Sequence, residues 1–277
     1  MVAEEEQREV ERLAELCEAR AAACVYGAAP PDVRARQGIW TRKVGSATAL
    51  VCAAATGGAL NDVIGLSIEE PATDLALDQI MTIYSSMGSR FTVRLSPSAR
   101  SSDLANRLKA RGFTLSGLEH KMFRSTASPP MIPTEFRVEC VGRELGSAFG
   151  EVFRAGTGSP DFVEPWIAAT VGLTGWRHYL AFDGETPIAC GALYVDGAWG
   201  WLGMGATLPS HRRRGAQGAI MTRRIRDAGE MGCDWVTTET DQETAERPNP
   251  SYHNMLRTGF EQLYLRSLYL SPDITRE

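Results

Sequence analysis

One short stretch, Thr207-Leu208-Pro209-Ser210-His211-Arg212-Arg213-Arg214-Gly215-Ala216-Gln217-Gly218-Ala219, sets three arginines and two glycines between an apolar run and an amphipathic pattern. A turn that opens a helix presents unpaired backbone N–H groups and the positive end of the helix dipole, which together make an anion site. Glycine lets a ligand reach the backbone there, and the arginines add fixed charge. The chemistry this points to is phosphate or pyrophosphate binding. A solvated basic patch or a nucleic-acid contact would be other uses for Arg212, Arg213 and Arg214. The lack of interleaved aromatics and a net charge of −5 weigh against nucleic acid.

The elements that must position this turn follow from periodicity. Trp199–Thr207 reads as the strand entering it. The helix leaving it carries Gly218, Met221, Ile225 and Ala228 on one face, with Thr222, Arg223, Arg226 and Glu230 on the other. Upstream, strands are predicted at 177–182 and 188–194, with Asp183-Gly184 and Asp196-Gly197 as hairpin turns. Helices are predicted at 142–155 and 165–173. Downstream come a strand at 235–240, a short helix at 251–258 and a last strand at 260–270.

The first half shows a similar order. A long amphipathic helix spans 4–26, with Val10, Leu13, Ala14, Cys17, Ala21 and Cys24 at helical spacing. Strands follow at 47–55 and 63–67, then a helix marked by Leu77, Ile80, Met81 and Tyr84, a strand at 91–95 and a helix at 102–111. Leu108-Lys109-Ala110-Arg111-Gly112-Phe113 rhymes with Met255-Leu256-Arg257-Thr258-Gly259-Phe260, which points to a duplicated unit, although two unrelated α/β units could share the rhyme. The first half carries Glu69, Glu70, Asp74 and Asp78 where the second carries arginines, so it should repel a pyrophosphate. Ser125–Pro133, with three prolines, reads as the linker.

With Arg257-Thr258-Gly259-Phe260 downstream of it, the arginine turn resembles the acyl-CoA pyrophosphate loop of the GNAT superfamily of N-acetyltransferases. The pattern of that loop is Gln/Arg-x-x-Gly-x-Gly/Ala. Arg212 opens it and Gly215 is its first glycine. Gln217 departs from it at the second small position, with Gly218 and Ala219 following at once. The resemblance covers roughly residues 134–272. It implies an α/β (α+β) fold of two GNAT-like domains, each a mixed, mostly antiparallel sheet flanked by helices. The expected division is an N-terminal helix at 1–27, a degenerate domain at 28–126, a linker at 127–133 and a catalytic domain at 134–277.

The resemblance also implies acetyl-CoA as cosubstrate and assigns roles. Gly205, Ala206 and Thr207 match the strand edge that pairs with pantetheine, unless this is an ordinary central strand. Backbone N–H groups around Arg214–Gly218, including Ala216 and Gln217, would hold the pyrophosphate, helped by the arginines. Ser251 and Asn254 are polar contacts toward CoA, with Ser251 equally suited to capping a helix. Glu239 falls close to the acidic residue that serves some members as base, and is equally read as a strand-end carboxylate. Asp241 and Glu243 compete with it. The usual general acid is a tyrosine four residues before the Gly of Gly-Phe, where this chain has Met255; Tyr252 lies three residues earlier.

At 277 residues, 43% hydrophobic and 23% charged, the composition is that of a globular protein of one large or two ordinary domains. The six cysteines include no Cys-x-x-Cys pair, so neither a zinc site nor a disulfide framework is expected. His178, inside a strand, reads as a packed or acceptor-pocket residue, and His253 as exposed; no metal site is proposed. Neither a secretory signal nor a membrane span is visible, and a cytoplasmic setting is expected. The leading function is transfer of an acetyl group from acetyl-CoA to a primary amine of a small-molecule or amino-acid-like acceptor. The alternative is a non-catalytic CoA-binding regulatory protein. The acceptor and the oligomeric state are not legible.

Overall fold

A computed structural model describes residues 2–55 and 57–273. The chain divides into two compact units. The first holds α1 (Val2–Gly27), α2 (Pro31–Gln37), β1 (Ile39–Val44), β2 (Ala47–Cys52), β3 (Gly57–Ile64), α3 (Asp74–Ser85), β4 (Arg90–Leu95), α4 (Leu104–Ala110) and most of β5 (Thr114–Ser125). The second holds β6 (Arg137–Val141), α5 (Gly146–Thr157), α6 (Val163–Ala168), β7 (Trp176–Asp183), β8 (Thr186–Asp196), β9 (Trp199–Thr207), α7 (Ala216–Glu230), β10 (Trp235–Asp241) and α8 (Pro250–Arg257). The last strand, β11 (Glu261–Leu270), belongs to the first unit from Leu263 onward. The run helix, helix, three antiparallel strands, helix, strand, helix occurs in both units, followed by β5 in the first and preceded by β6 in the second.

In the first unit the strand order is β1-β2-β3-β4-β11-β5. The antiparallel β4–β11 pairing sets Leu95 against Ser267 and Val93 against Tyr269. Leu77, Ile80 and Tyr84 of α3 pack with Phe91, Val93 and Leu104 in its core. The long helix follows its predicted stripe, burying Ala14, Cys17 and Ala21, but it also buries Glu15 and Glu18. Arg266 of β11 accounts for them: its guanidinium lies 3.1 Å from Glu15, 2.7 Å from Glu18 and 2.6 Å from Glu119, and Lys121 Nζ lies 2.6 Å from Glu18. Burial works against the charged form of Glu18, but Arg266 and Lys121 outweigh it and hold that carboxyl below the usual range.

The sequence-based boundaries differ from this division. The expected catalytic domain ran to the C-terminus, whereas Leu263 onward groups with the first unit, and Ala28–Pro30 and Met122–Gln262 form the second. Strands β1, β5 and β6 and helix α2 were not anticipated, and β3 starts earlier than the predicted 63–67. In β5 the reason is visible: Glu119, His120 and Lys121 are all buried in mid-strand, which erases the apolar/polar alternation.

In the second unit the order is β5-β10-β9-β8-β7-β6. Both Asp-Gly signals form two-residue hairpins, with Gly184 at φ 58° and Gly197 at φ 61°, the left-handed value wanted at the first central position. Ile220, Met221, Ile225 and Ala228 of α7 pack with Tyr179, Ile188, Leu202 and Val236. Among the described residues, no helix is long and apolar enough to cross a membrane.

Candidate active site

Strands β9 and β10 begin as a parallel pair and then part. Their ladder runs Trp199–Trp235, Gly200–Val236 and Trp201–Thr237. The next rung is a side chain, Thr238 Oγ1 donating to Leu202 O at 2.8 Å. Past it, the edge of β9 from Gly203 to Thr207 has no partner strand on that side among the described residues, so Gly205, Ala206 and Thr207 lie along an open edge able to pair with an extended ligand. On its other side β9 carries a bulge. Ala192 pairs with Gly203 and Cys190 with Ala206, leaving Met204 and Gly205 opposite the single residue Gly191. Met204 sits at φ 53°. Bulges bend a strand and often lie beside functional sites.

The turn leaving β9 keeps a helix N-terminus uncovered. Gly215, at φ 89°, is the cap of α7 and offers no capping side chain. The first helical bond is Ala219 N to Gly215 O, 3.1 Å. Among the described residues the N–H groups of Ala216, Gln217 and Gly218 have no protein acceptor. A Cβ on Gly215 would have only Pro133 O nearby, at 3.9 Å, so glycine is required there by conformation rather than by crowding. Gly218 has another purpose: a Cβ there would sit 3.2 Å from Ile132 Cδ1, so this glycine admits a packing neighbour. Gln217 turns its side chain to the sheet, Nε2 donating to Cys190 O at 3.1 Å and Ala206 O at 2.6 Å. That hydrogen bonding explains a glutamine at the position where a small residue was expected.

The three arginines are not equivalent. Arg212 donates to Gly156 O at 2.7 Å and Thr207 O at 3.3 Å, tying the end of α5 to the end of β9. Arg214 pairs with Glu135 at 2.7 Å and Asp183 at 3.1 Å and stacks 4.8 Å from the Phe136 ring centroid. Arg213, at φ 62°, has no side-chain partner among the described residues. Of the three arginines expected to help hold a phosphate, Arg213 is the guanidinium without a protein acceptor among the described residues.

Beside the open edge, Trp201 Nε1 donates to both carboxylate oxygens of Glu239, at 3.1 and 3.0 Å. Only glycine at 203 permits this: a Cβ there would lie 1.8 Å from Trp201 Cη2, inside the indole ring that crosses it. Glu239 is half-buried on β10, just beyond the last rung. Glu243, one competitor, is bound to Asn249 N at 2.7 Å and His253 Nε2 at 2.8 Å; Asp241 is exposed at the strand end. Trp176, Tyr194 and Trp201 form a cross-strand aromatic row. His178 is buried one step further along the same face, stacked on Trp176, with Nε2 2.9 Å from Thr170 Oγ1. Burial pulls its pKa down to about 4, so it is neutral at pH 7. Trp166, Trp176 and Trp199 are core residues.

No family model and no curated protein matches the chain. Solved structures do. A GCN5-related N-acetyltransferase from Kribbella flavida superposes with a TM-score of 0.62 at 18% identity, over 92% of this chain and 95% of that one. One from Sphaerobacter thermophilus gives 0.60 at 15% identity, over 84% and 78%. A tandem GNAT protein from the clavulanic acid biosynthesis pathway gives 0.57 at 13% identity, over 85% and 81%. The chain has the GCN5-related N-acetyltransferase fold.

In this GNAT fold, α8 leads to the Gly-Phe pair. Asn249 caps it, Oδ1 accepting from Ser251 N at 3.0 Å and Tyr252 N at 3.2 Å. Ser251 is thus not the cap; it is exposed in the first turn. Asn254 Oδ1 accepts from Arg257 on the same helix. Met255 is 5% exposed and packs in the core with Met221 and Phe260, so the position that carries tyrosine in the GNAT pattern is spent on packing here. Tyr252 is half-buried. Trp201, Met204 and Arg224, and the bonding of the Gln217 side chain to the sheet, escaped the sequence reading because a strand pattern does not show which side chains meet across it; Gly203, two residues after Trp201, was the one available signal.

Proposed function

We propose that this chain is an acetyl-CoA-dependent N-acyltransferase that acetylates a primary amine of a small-molecule or amino-acid-like acceptor, with its CoA site in the second unit. The observation that carries this reading is the open edge of β9 running into the uncapped N-terminus of α7 at Gly215. The Ala216, Gln217 and Gly218 N–H groups would hold the pyrophosphate, with Arg213 beside them. Gly205, Ala206 and Thr207 would pair with the amide-bearing arm. The bound cosubstrate supplies an acyl group activated as a thioester.

The first unit supports the assignment by contrast. Its equivalent helix, α3, is capped by Thr73, whose side chain accepts from Ala76 N at 3.1 Å, and starts with Asp74. The segments that follow β3 and β4 are fastened together: Arg100 N donates to Ser67 O at 2.7 Å, and the Ser67 and Ser101 hydroxyls meet at 3.1 Å. With the Ala76 N–H taken by the Thr73 side chain and an acid in the first turn, the start of α3 is poorly suited to an anion.

Glu239 is the proposed base. An amine that attacks a thioester must shed a proton, and a carboxylate held in place by the Trp201 N–H can accept it, directly or through water. Met255 cannot donate a proton. The departing thiolate needs little help, since an ordinary thiol has a pKa of about 8.5. The burial of Met255 favours a second reading, a CoA-binding protein without turnover. We place the protein in the cytoplasm, where its six free thiols stay reduced. Calorimetry with acetyl-CoA and with an oligonucleotide tests the site; tight oligonucleotide binding without CoA binding refutes it. Consumption of acetyl-CoA against an amine panel separates enzyme from regulator.

A further inference from the structure

Four carbonyls flank the β9 bulge, and two side chains of α7 take them in pairs. Gln217 Nε2 donates to Cys190 O and Ala206 O, the register pair on one side of the bulge. Arg224 Nη1 donates at 3.0 Å to both Ala192 O and Gly203 O, the register pair on the other side. Seven helical residues rise about 10.5 Å, and the three steps from Gly203 to Ala206 span roughly 10 Å of strand, so one helix face spans the bulge. Gly191 makes the room: a Cβ there would lie 2.8 Å from Ile220 Cγ2 and 3.0 Å from the Arg224 guanidinium carbon.

Arg224 is 2% exposed, and among the described residues its side chain bonds to carbonyls alone. The nearby carboxylate, Asp227, is taken by Tyr179 Oη at 2.9 Å and by Arg223 at 2.8 Å and Arg177 at 3.4 Å. An ionised group buried without a counter-charge is expensive, and an apolar residue of similar size would fill the space without that cost. The charge therefore calls for a use. Its location supplies one. A peptide is planar with C=O and N–H on opposite sides. With Gly203 C=O turned to Arg224 on the α7 side, the Met204 N–H of the same peptide is aimed at the other face of the sheet. Gly200 faces Ala228 of α7, so Trp201, and with it Glu239, lies on that other face.

We infer that Arg224 is a positioning residue of the acyl-transfer site. It clamps the Gly203–Met204 peptide so that the Met204 N–H points to the Glu239 side, and it holds a positive charge behind that peptide. The inference rests on the acyltransferase reading above. When an amine adds to a thioester, the C–N bond forms and the C=O π pair moves to oxygen. Collapse returns that pair, the C–S bond breaks with its electrons on sulfur, and the amine proton passes to Glu239. The oxygen carries negative charge in between, and a fixed dipole backed by a buried cation stabilises it before any solvent need reorganise.

The test uses the full chain with acetyl-CoA labelled with carbon-13 at the thioester carbonyl. Infrared difference spectra give the carbonyl stretch of the bound form, and calorimetry gives its affinity. In wild type the stretch should lie below its value in water. Arg224→Gln keeps hydrogen-bond donors but removes the charge. It should return the stretch toward the water value with affinity within about threefold, and lower kcat roughly 10²-fold with whichever amine the panel identifies, at unchanged KM. Arg224→Lys keeps the charge and should recover most of both. A folded Arg224→Gln protein with wild-type stretch and kcat overturns the inference. If that variant does not fold, a folded Arg224→Lys protein with a water-like stretch overturns it equally. Failure of wild type to bind acetyl-CoA defeats the acyltransferase reading itself, and this inference with it; binding with an unmoved stretch defeats this inference alone.

Discussion

Replacing Gly215 tests the anion site directly, because the structure separates conformation from charge at that position. Gly215 caps α7 at φ 89°, and a Cβ there would meet nothing closer than Pro133 O at 3.9 Å. Gly215→Ala should therefore cost only backbone strain, about 1–2 kcal/mol. At roughly 2–4 °C per kcal/mol for a chain of this size, Tm should fall by a few degrees. Gly215→Glu adds to that strain a negative charge facing the phosphates. At about 5 Å and an effective dielectric constant of about 20, one such pair repels by roughly 3 kcal/mol, which is a hundredfold or more in Kd. Titration calorimetry with CoA, paired with thermal melts, should show a moderate loss for Ala and a loss of a hundredfold or more for Glu. Added salt should narrow the gap, since exposed charges are screened. Two results would refute the reasoning: a folded Gly215→Glu protein that binds CoA as wild type does, or an alanine variant that loses as much as the glutamate.

Glu239→Gln should lower turnover about 10²–10⁴-fold with CoA affinity nearly unchanged, and the deficit should shrink at high pH, where more of the amine is already neutral; normal turnover at pH 7 with chemistry rate-limiting would exclude it as base. Trp201→Phe, which removes the N–H that fixes this carboxylate, should lower kcat with little change in CoA binding. Arg213→Ala should weaken CoA about ten- to a hundredfold, the scale of a charge-assisted bond, without moving Tm. Arg212→Ala, whose guanidinium ties Gly156 to Thr207, should lower Tm instead; the reverse pattern would exchange their roles. For His178 the pKa falls from about 6.5 unfolded to about 4 in the fold. The unfolded chain therefore binds the proton first, and stability present above pH 6.5 is lost as pH falls toward 4, by about 3 kcal/mol in all. His178→Gln should flatten the dependence of Tm on pH in that window, and an unchanged acid limb would show that other groups set it.

What could be learned from sequence was local. The α1 stripe, the two Asp-Gly hairpins and the glycine-opened α7 were all legible, because helix periodicity and turn chemistry are carried by neighbouring residues. So was the uncovered start of α7, since a helix N-terminus with a glycine cap is itself a local object. Glu239 was visible as a strand-end acid but not as the partner of Trp201. Arg214 was legible as a charge beside the turn, but its ion pairs with Glu135 and Asp183 were not. The placement of β11 was beyond reach for the same reason. Its pattern says strand, but only Arg266 meeting Glu15, Glu18 and Glu119 shows why that strand joins the first unit. The bulge braced by Gln217 and Arg224, and the parting of β9 from β10, depend on register between strands. Register is decided by side chains far apart in the chain, whose complementarity exists only once the sheet has formed.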